Sequence, residues 1–313
     1  MKKLKRIFAV FFCLLLAAGI LGGCGKAASS SALAPSALQS GNKPLKIVTT
    51  IFPEYDWVRE ILGDKADYAE VTMLLDNGVD LHSYQPTADD IIKISDCDLF
   101  LYVGGESDGW VEDALKEATN QNMKVINLLD VLGEQVKEEE VVEGMEGEEE
   151  EEADEEEGPE YDEHVWLSLK NAETLCSTIT DALEEIDPAN KDAYATNAAS
   201  YLEKLAALDG EYQTVADNAA RKTVLFGDRF PFRYLVDDYG LRYYAAFAGC
   251  SAETEASFET ISFLAGKVDE LGLPCVLTIE GAQHKIAETI VQNTAEKNQS
   301  ILTLDSMQST TST

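Results

Sequence analysis

The stretch DLFLYVGGESDGWVEDALKEATNQNMKVINL, residues 98–128, indicates the fold class. It begins with a short apolar run that ends at Gly104 and Gly105. It continues with a helical pattern over 110–118 and closes on a second apolar run at 124–128. Short apolar runs separated by a helix are typical of parallel strands, which need a crossover connection and are buried on both faces. The stretch therefore predicts a strand–helix–strand unit of an α/β protein.

The same alternation continues in both directions along the chain. Apolar runs at 45–52 and 68–75 precede the stretch, and two long helical segments at 169–186 and 191–218 follow it. Strands and helices then alternate again over 223–304. We therefore expect an α/β fold with two lobes of parallel sheet and flanking helices, joined by a long helical backbone, with a cleft between the lobes. The expected units are a first lobe at 45–168, a helical connector at 169–220 and a second lobe at 221–313.

The charge of the chain is strongly negative and unevenly distributed. Of 313 residues, 58 are acidic and 24 are Lys or Arg, which gives a formal net charge of −34. Half of this charge lies in 138–163, which has 17 acids and no Lys or Arg. Such a chain lacks the basic surface that nucleic-acid binding requires, and it suits a cationic ligand. The segment 137–163 is expected to form a solvated acidic loop, with a low-affinity metal collector as the alternative.

The N-terminus has the features of an export signal. Lys2, Lys3, Lys5 and Arg6 precede an apolar run that ends in Leu-Gly-Gly-Cys24. The run is shorter than a membrane-spanning helix needs, and the four residues at its end resemble a bacterial lipobox. We expect a lipoprotein signal peptide at 1–24, lipid attachment at Cys24 and a flexible tether at 25–44, rich in Ser, Ala, Gly and Pro. The folded part is then extracytoplasmic and anchored to the cytoplasmic membrane.

Four further cysteines lie in the predicted folded part: Cys97, Cys176, Cys250 and Cys275. No pair has the C-x-x-C spacing of a thiolate zinc site. A disulfide is permitted outside the cell, and Cys250 with Cys275 is the favoured pair because both lie in the same half of the chain. Four free thiols are the alternative, and the sequence does not choose between them.

The three histidines are His82, His164 and His284. His82 and His164 lie in predicted loops, and Glu280 follows the predicted strand at 275–279. Imidazole and carboxylate together favour zinc or manganese over calcium. His284 is expected to be a surface residue of a helix rather than a ligand.

At this point the sequence resembles a known family. The strings IVTTIFPEYDWV, GVDLHSYQPT, DLFLYVGG, DEHVWLSLKNA, YLVDDYGL and TIEGAQHKIAETI are similar to those of the extracytoplasmic solute-binding proteins of manganese/zinc ABC importers. The resemblance extends from Leu45 to Gln308. It implies two α/β lobes, a rigid helical backbone and a metal ion at the lobe interface. Such proteins continue into a further helix, so the end of this chain soon after Gln308 leaves a truncated second lobe as one interpretation.

By this resemblance, His82 and His164 are metal ligands from the first lobe and Glu280 is the carboxylate ligand from the second. A fourth position departs from the family pattern, because Arg229 stands where family members often have a histidine. Arg stays protonated and cannot ligate a cation. Three alternatives remain: Asp228 ligates in its place, water completes the site, or Arg229 pairs with Glu280 and the site no longer prefers a metal. In a binding protein for another solute, Arg229 is a possible anion contact.

The resemblance implies a receptor that delivers Zn²⁺ or Mn²⁺ to the membrane permease of an ABC importer, as a monomer and without catalysis. The donor types do not separate the two ions, and zinc is favoured by its general affinity. The alternatives are a binding protein for a metal complex or an anionic solute, and a metal-dependent hydrolase. The sequence has no HExxH motif to support the hydrolase. Cell adhesion is a further role of some relatives on which the sequence is silent.

Overall fold

The computed structural model describes residues 43–146, 160–251, 255–281 and 284–313. The predicted signal peptide, the lipid site at Cys24 and nearly all of the tether lie outside the described residues, as does 147–159 of the acidic segment. Within the described ranges, no helix combines the length and the apolar character that crossing a bilayer requires.

The first lobe is a four-stranded parallel sheet with the strand order β2-β1-β3-β4. The central strands are apolar because both of their faces are covered, and Leu99, Phe100 and Leu101 are fully buried. The elements of this lobe are β1 (Leu45–Thr49), α1 (Phe52–Leu62), β2 (Ala69–Met73), α2 (Ala88–Ser95), β3 (Leu99–Tyr102), α3 (Val111–Lys116), β4 (Lys124–Asn127) and α4 (Leu128–Leu132).

Two long helices connect the lobes, as predicted. They are α5 (Leu169–Ile186) and α6 (Lys191–Asn218). Ser168 caps α5, since its side chain accepts a hydrogen bond from the backbone N–H of Asn171. Leu175, Ile179 and Leu183 recur at helical spacing and are fully buried. The two helices pack on each other and on α1, so the connector is part of the body of the protein.

The second lobe repeats the architecture with the parallel order β6-β5-β7-β8. Strand β5 runs four residues further than predicted, through a register shift between Phe226 and Arg229. The elements are β5 (Thr223–Phe230), α7 (Arg233–Asp238), β6 (Arg242–Ala248), α8 (Phe258–Leu271), β7 (Cys275–Thr278), α9 (Lys285–Asn293) and β8 (Ser300–Thr303). The carboxyl ends of the strands carry the residues of the site described below.

One apolar core is continuous across the two lobes. Phe226, Phe230 and Phe232 of the second lobe are buried in the same cluster as Ile47 and Trp166 of the first. The three phenylalanine rings contact each other with centroids 5.2 to 6.2 Å apart. This shared core fixes the position of the strand ends on both sides of the cleft.

The described ends of the acidic segment are structured, which corrects the expectation that all of 137–163 is a solvated loop. The N–H of Glu139 donates to the carbonyl of Glu160, and that of Asp162 donates to the carbonyl of Lys137. Further along the first of these two paired ends, Met145 is buried in the core. Backbone pairing holds these ends although their side chains are charged.

A buried carboxyl group on α1 gives the fold a pH dependence. Glu54 is fully buried; its Oε2 accepts hydrogen bonds from Thr50, and its Oε1 has no hydrogen-bond partner. Burial, and next the nearby Asp108 carboxylate, raise the pKa of Glu54 to about 8. The folded protein therefore retains a proton that the unfolded chain releases at much lower pH. The free energy of unfolding should fall as pH rises from about 4.5 towards 8.

We expect the substitution Glu54→Gln to flatten this decline, because an amide keeps the shape and cannot ionise. At pH 8 the variant should be more stable than the unmodified protein by about 3 kcal/mol or more. Chemical denaturation at a series of pH values measures how steeply the free energy of unfolding falls with pH. The control is Glu60→Gln on the same helix, whose side chain is partly exposed and should leave the slope unchanged. An unaltered slope in Glu54→Gln would assign the pH dependence to another group.

Candidate metal centre

His82 lies in a single 3₁₀ turn, Leu81–Ser83, that follows the first-lobe strand β2. The Asp80 side chain caps this turn, since its Oδ1 accepts a hydrogen bond from the His82 N–H at 3.0 Å. Leu81 is 1% exposed and anchors the turn in the core. The backbone next to His82 is therefore held from both sides.

His164 is completely buried, directly after the described end of the acidic segment. The Asp162 carboxylate fixes both its backbone and its ring. Oδ1 of Asp162 accepts a hydrogen bond from the His164 N–H at 2.9 Å and lies 3.0 Å from ring Nδ1. A ring that donates through Nδ1 has its lone pair on Nε2, which is the state of a metal-ligating histidine.

The two imidazoles face each other through their Nε2 atoms, which are 3.1 Å apart. On the other side of His82, Nδ1 lies 2.8 Å from the Ser107 hydroxyl and 3.5 Å from Oε2 of Glu163. Two nitrogens bound to one tetrahedral Zn²⁺ at about 2.0–2.1 Å lie about 3.3 Å apart. The facing Nε2 atoms are therefore at the spacing of two ligands of one ion, and each ring is oriented by an oxygen at its far nitrogen.

The two imidazoles are not both charged. Burial, and next the proximity of His164, lower the pKa of His82 to about 3. Burial opposes the charge on His164 as well, but the Asp162 carboxylate raises the pKa of that ring above its usual value. His82 is thus neutral and presents a free lone pair at neutral pH.

Cys250 is adjacent to this pair. The ligand atoms of His82, His164 and Cys250 all lie within 4.8 Å of one another. In the described part of the chain, these three residues form a cluster of side chains that could hold a metal ion. His82 and Cys250 line a cavity of about 190 Å³ together with Ser107 and Tyr161. Its remaining lining residues are acidic: Glu106, Glu139, Glu160 and Glu163.

This lining gives the cavity a negative potential that attracts cations. Burial and the carboxylates of Glu139, Asp162 and Glu163 raise the pKa of the Cys250 thiol above its ordinary value. The cavity is therefore suited to a small cation rather than to an anion.

Arg229 forms an ion pair with Asp80, with Nη2 2.6 Å from Oδ2. Its Nη1 also donates to the carbonyl of Ser251 at 3.4 Å. The alternative in which Arg229 pairs with Glu280 is therefore wrong. Because Asp80 balances its charge, the structure gives the suggested anion contact of Arg229 no support.

Asp228 and Glu280 lie outside the His–His–Cys cluster. Asp228 accepts hydrogen bonds from the backbone N–H groups of Arg229 and Ile279, at 2.9 and 3.3 Å. Glu280 accepts from the N–H and the hydroxyl of Ser306, at 2.7 and 2.6 Å. Their assignment as ligands stays a prediction.

The predicted disulfide between Cys250 and Cys275 is wrong, because all four described cysteines are free. Cys275 begins β7, whereas Cys250 lies two residues beyond the last residue of β6. Both strands run parallel to β5. The Cys250 thiol therefore lies beyond the carboxyl ends of the strands and the Cys275 thiol at their amino ends.

Several residues of the site were not predicted from the sequence. They are Asp80, Ser107, Asp162, Glu163, Cys250 and Gln308. Gln308 places Oε1 3.2 Å from Nε2 of His164 and donates through its amide nitrogen to Asp80. The signal available for Asp162 was its position two residues before His164, where an Asp side chain reaches the following N–H groups. Asp80 has the same position relative to His82, and Glu163 directly precedes His164. Ser107, Cys250 and Gln308 come from distant parts of the chain and carried no local signal.

We expect Asp162→Ala to weaken metal binding by about 10- to 100-fold, the usual cost of losing the partner that orients a histidine ligand. The ring of His164 then loses the acceptor at Nδ1 that keeps Nε2 directed at His82. Competition with a chromophoric zinc chelator measures the affinity. The control is Asp130→Ala, an exposed acid on α4 whose loss should leave the affinity unchanged. Equal affinities for the two variants would contradict the orienting role of Asp162.

Comparison with known proteins gives consistent similarities. A family model described as "Zinc-uptake complex component A periplasmic" matches residues 47–313. The chain is 32% identical over 308 residues to the high-affinity zinc uptake system protein ZnuA of Bacillus subtilis (strain 168), covering 98% of this chain and 90% of that protein. It is 31% identical over 267 residues to the zinc-binding lipoprotein AdcA of Streptococcus pneumoniae serotype 4, covering 84% of this chain.

The chain spans about half the length of AdcA, since the alignments cover 49% to 50% of the streptococcal proteins. Among solved structures, it is similar to the Zn(II)-bound ZnuA-like domain of Streptococcus pneumoniae AdcA. The TM-score is 0.65 and the identity 29%, covering 86% of this chain and 90% of that domain.

Proposed function

The chain belongs to the family of the periplasmic component A of zinc-uptake complexes, and from this premise we propose that it is an extracytoplasmic zinc receptor serving an ABC importer. The observation that carries the proposal is the pair of facing Nε2 atoms of His82 and His164, 3.1 Å apart beside an acid-lined cavity. Two oriented, buried imidazoles at this spacing bind a divalent transition metal.

Zinc is the proposed ion. Neutral imidazole nitrogens suit zinc, and zinc stands above manganese in the general affinity order for such donors. ZnuA and AdcA are named for zinc uptake and zinc binding, and the AdcA domain similar to this chain was solved with Zn(II) bound. The manganese alternative requires a site dominated by oxygen ligands, and the imidazole pair favours zinc instead.

The bound ion is cargo, and the chain is a receptor rather than an enzyme. Its family consists of substrate-binding components, and the chain has no HExxH motif. The string GESDG at 105–109 has the GxSxG pattern, but the hydroxyl of its Ser107 lies 2.8 Å from Nδ1 of His82 and orients that ring. We propose that the partner is the membrane permease of the importer, to which a monomer of this protein delivers zinc. Release needs the lobes to separate, because His164 is fully buried when they are packed together.

We further propose that the protein is exported and anchored by lipid at Cys24. The sequence Leu-Gly-Gly-Cys24 at the end of an apolar run supports this, as does the name of the AdcA relative, a lipoprotein. The tether at 25–44 would give the receptor a reach of about 25 Å from the membrane, the r.m.s. span of a flexible chain of that length. Radiolabelled palmitate incorporation that a Cys24→Ala variant lacks would test the anchor.

Zinc delivery is tested in the bacterium that encodes this protein. Deletion of the gene should prevent growth in medium depleted of zinc by a chelator, and added zinc should restore growth. Expression of the unmodified protein should rescue the deletion, whereas His82→Ala at equal abundance should not. Rescue by His82→Ala, or a deletion strain that grows normally and takes up zinc at the usual rate, would reject the proposed function.

A further inference from the structure

Cys250 provides a third donor at the site, from an element that the two histidines do not use. It follows the carboxyl end of β6, next to Gly249, whereas both histidines belong to first-lobe loops. All three ligand atoms lie within 4.8 Å of one another. A sulfur atom from the second lobe thus faces two imidazole nitrogens from the first.

Three separate contacts hold Cys250 in this position. Its N–H donates to Oε1 of Glu139 at 3.1 Å. The next residue, Ser251, accepts a hydrogen bond from Arg229, which is also paired with Asp80 beside His82. Arg229 therefore ties the loop of Cys250 to the loop of His82.

The third contact is made by Gly249, whose backbone passes directly against the His164 ring. A Cβ atom at this glycine would lie 3.0 Å from Cε1 and 3.2 Å from Nδ1 of His164. Only a residue without a side chain lets the strand end come this close. The absence of a side chain at Gly249 is what brings the following thiol to the imidazole pair.

We propose that the Cys250 thiolate is the third protein ligand of the zinc ion. The proposal rests on the zinc-receptor function proposed above and specifies its donor set as two imidazole nitrogens and one sulfur. In a tetrahedral site with Zn–S of about 2.3 Å and Zn–N of about 2.0–2.1 Å, sulfur and nitrogen lie about 3.5 Å apart. In the structure the three ligand atoms lie within 4.8 Å of one another, so the sulfur has to move only slightly towards the nitrogens on binding. A small closure of the two lobes on the ion supplies such a movement.

Zinc binding exchanges the thiol proton of Cys250 for the metal ion. The Cys250 thiol loses its proton to solvent through the cavity, a Zn–S bond forms, and no oxidant or reductant is needed. The thiolate offsets one of the two positive charges of the ion. Arg229 contributes no net charge to the balance, since Asp80 neutralises it.

A thiolate ligand determines which ion the site accepts. Sulfur is a soft donor that binds zinc well and manganese poorly, whereas carboxylate and water suit manganese. Cys250 would therefore make the receptor selective for zinc. Arg229 contributes by holding the loop of Cys250 against the loop of His82.

Cobalt(II) is the probe that tests the sulfur ligand, because it substitutes for zinc and absorbs light through its d electrons. Titration of Co²⁺ into the purified full-length protein, kept reduced with a phosphine, should give a near-ultraviolet sulfur-to-cobalt charge-transfer band that saturates at one equivalent. Zinc should displace the band. Cys250→Ser should remove the band and lower zinc affinity at least about 10-fold. Loss of a residue that only orients a metal ligand already costs about 10- to 100-fold, and loss of a ligand itself should cost no less.

The matched control is Cys275→Ser, which changes the other partly exposed cysteine and should retain the band. Binding of one tight equivalent of zinc without any sulfur band in the unmodified protein would overturn the Cys250 proposal and leave the zinc receptor intact. No tight binding of either ion by folded protein would overturn both. The spectrum of the unmodified protein decides between these outcomes even where Cys250→Ser folds poorly.

The ratio of zinc to manganese affinity provides a second readout. Cys250→Ser should lose zinc affinity while its manganese affinity stays the same or rises, so the ratio falls at least about 10-fold. An equal loss for both ions would indicate that Cys250 only supports the shape of the site. That result would also contradict the proposed ligand.

Discussion

Replacing His164 with asparagine is expected to abolish tight zinc binding, the largest effect of any single change in this protein. His164 is fully buried, its Nδ1 faces Asp162, and its Nε2 faces His82 at 3.1 Å. An amide is a much weaker zinc ligand than imidazole and is too short to reach the same point. We expect the affinity for zinc to fall at least about 100-fold, or about 2.7 kcal/mol, measured by competition with a fluorescent zinc chelator.

The matched control is His284→Asn, which removes the third histidine by the same substitution. His284 has a φ of 53°, in the left-handed region that asparagine tolerates. It directly precedes α9, rather than lying within a helix as predicted, and it is not part of the His–His–Cys cluster. Its zinc affinity should equal that of the unmodified protein. Circular dichroism separates loss of binding from loss of folding. A folded His164→Asn variant that binds zinc as tightly as the control would reject the site.

The second large effect is expected at Gly249, where alanine should reduce both stability and zinc affinity. A Cβ there would lie 2.9 Å from the carbonyl oxygen of Phe230 and 3.0 Å from the His164 ring. Both neighbours are buried, so the backbone or the imidazole must shift. We expect the free energy of unfolding to fall by about 1–3 kcal/mol, the usual cost of overpacking. Zinc affinity should fall because the shift separates His164 from Cys250.

Gly210→Ala is the control for this substitution. Gly210 lies in the interior of α6, and a Cβ there would meet nothing within 4 Å. Alanine at an exposed helical position should stabilise the protein by about 0.5–1 kcal/mol and leave zinc affinity unchanged. Thermal unfolding in the presence and absence of zinc measures both properties. A Gly249→Ala variant with the stability and zinc response of the unmodified protein would contradict the close packing at this glycine.

Much of the fold could be predicted because its signals are local. The bounds predicted for α5 and α6 agree with the structure, since Ser168 caps the first helix and Pro188 separates it from the second. The helix α8 agrees as well, between its Ser257 cap and Gly272. The extension of β5 beyond Phe226 was missed, because a register shift and neighbouring strands, rather than local sequence, keep residues 227–230 in the sheet.

The site was only partly predictable, for a physical reason. His82 and His164 were predicted as ligands because each lies within a distinctive local string, and the structure brings their rings together. Cys250 was instead assigned to a disulfide, since its proximity to the histidines depends on packing between the lobes. Asp162 and Glu163 were counted as part of a solvated acidic loop, although backbone pairing and burial make them part of the wall of the site.

The central claim is that one zinc ion binds between His82 and His164, and anomalous X-ray diffraction tests it most directly. Crystals of the zinc-loaded protein measured on either side of the zinc absorption edge reveal every bound zinc atom. We expect one strong peak at about 2.0–2.1 Å from Nε2 of both histidines and about 2.3 Å from Sγ of Cys250. A strong peak at Asp228 and Glu280, or only in the acidic segment, with none between the two imidazoles, would contradict the claim.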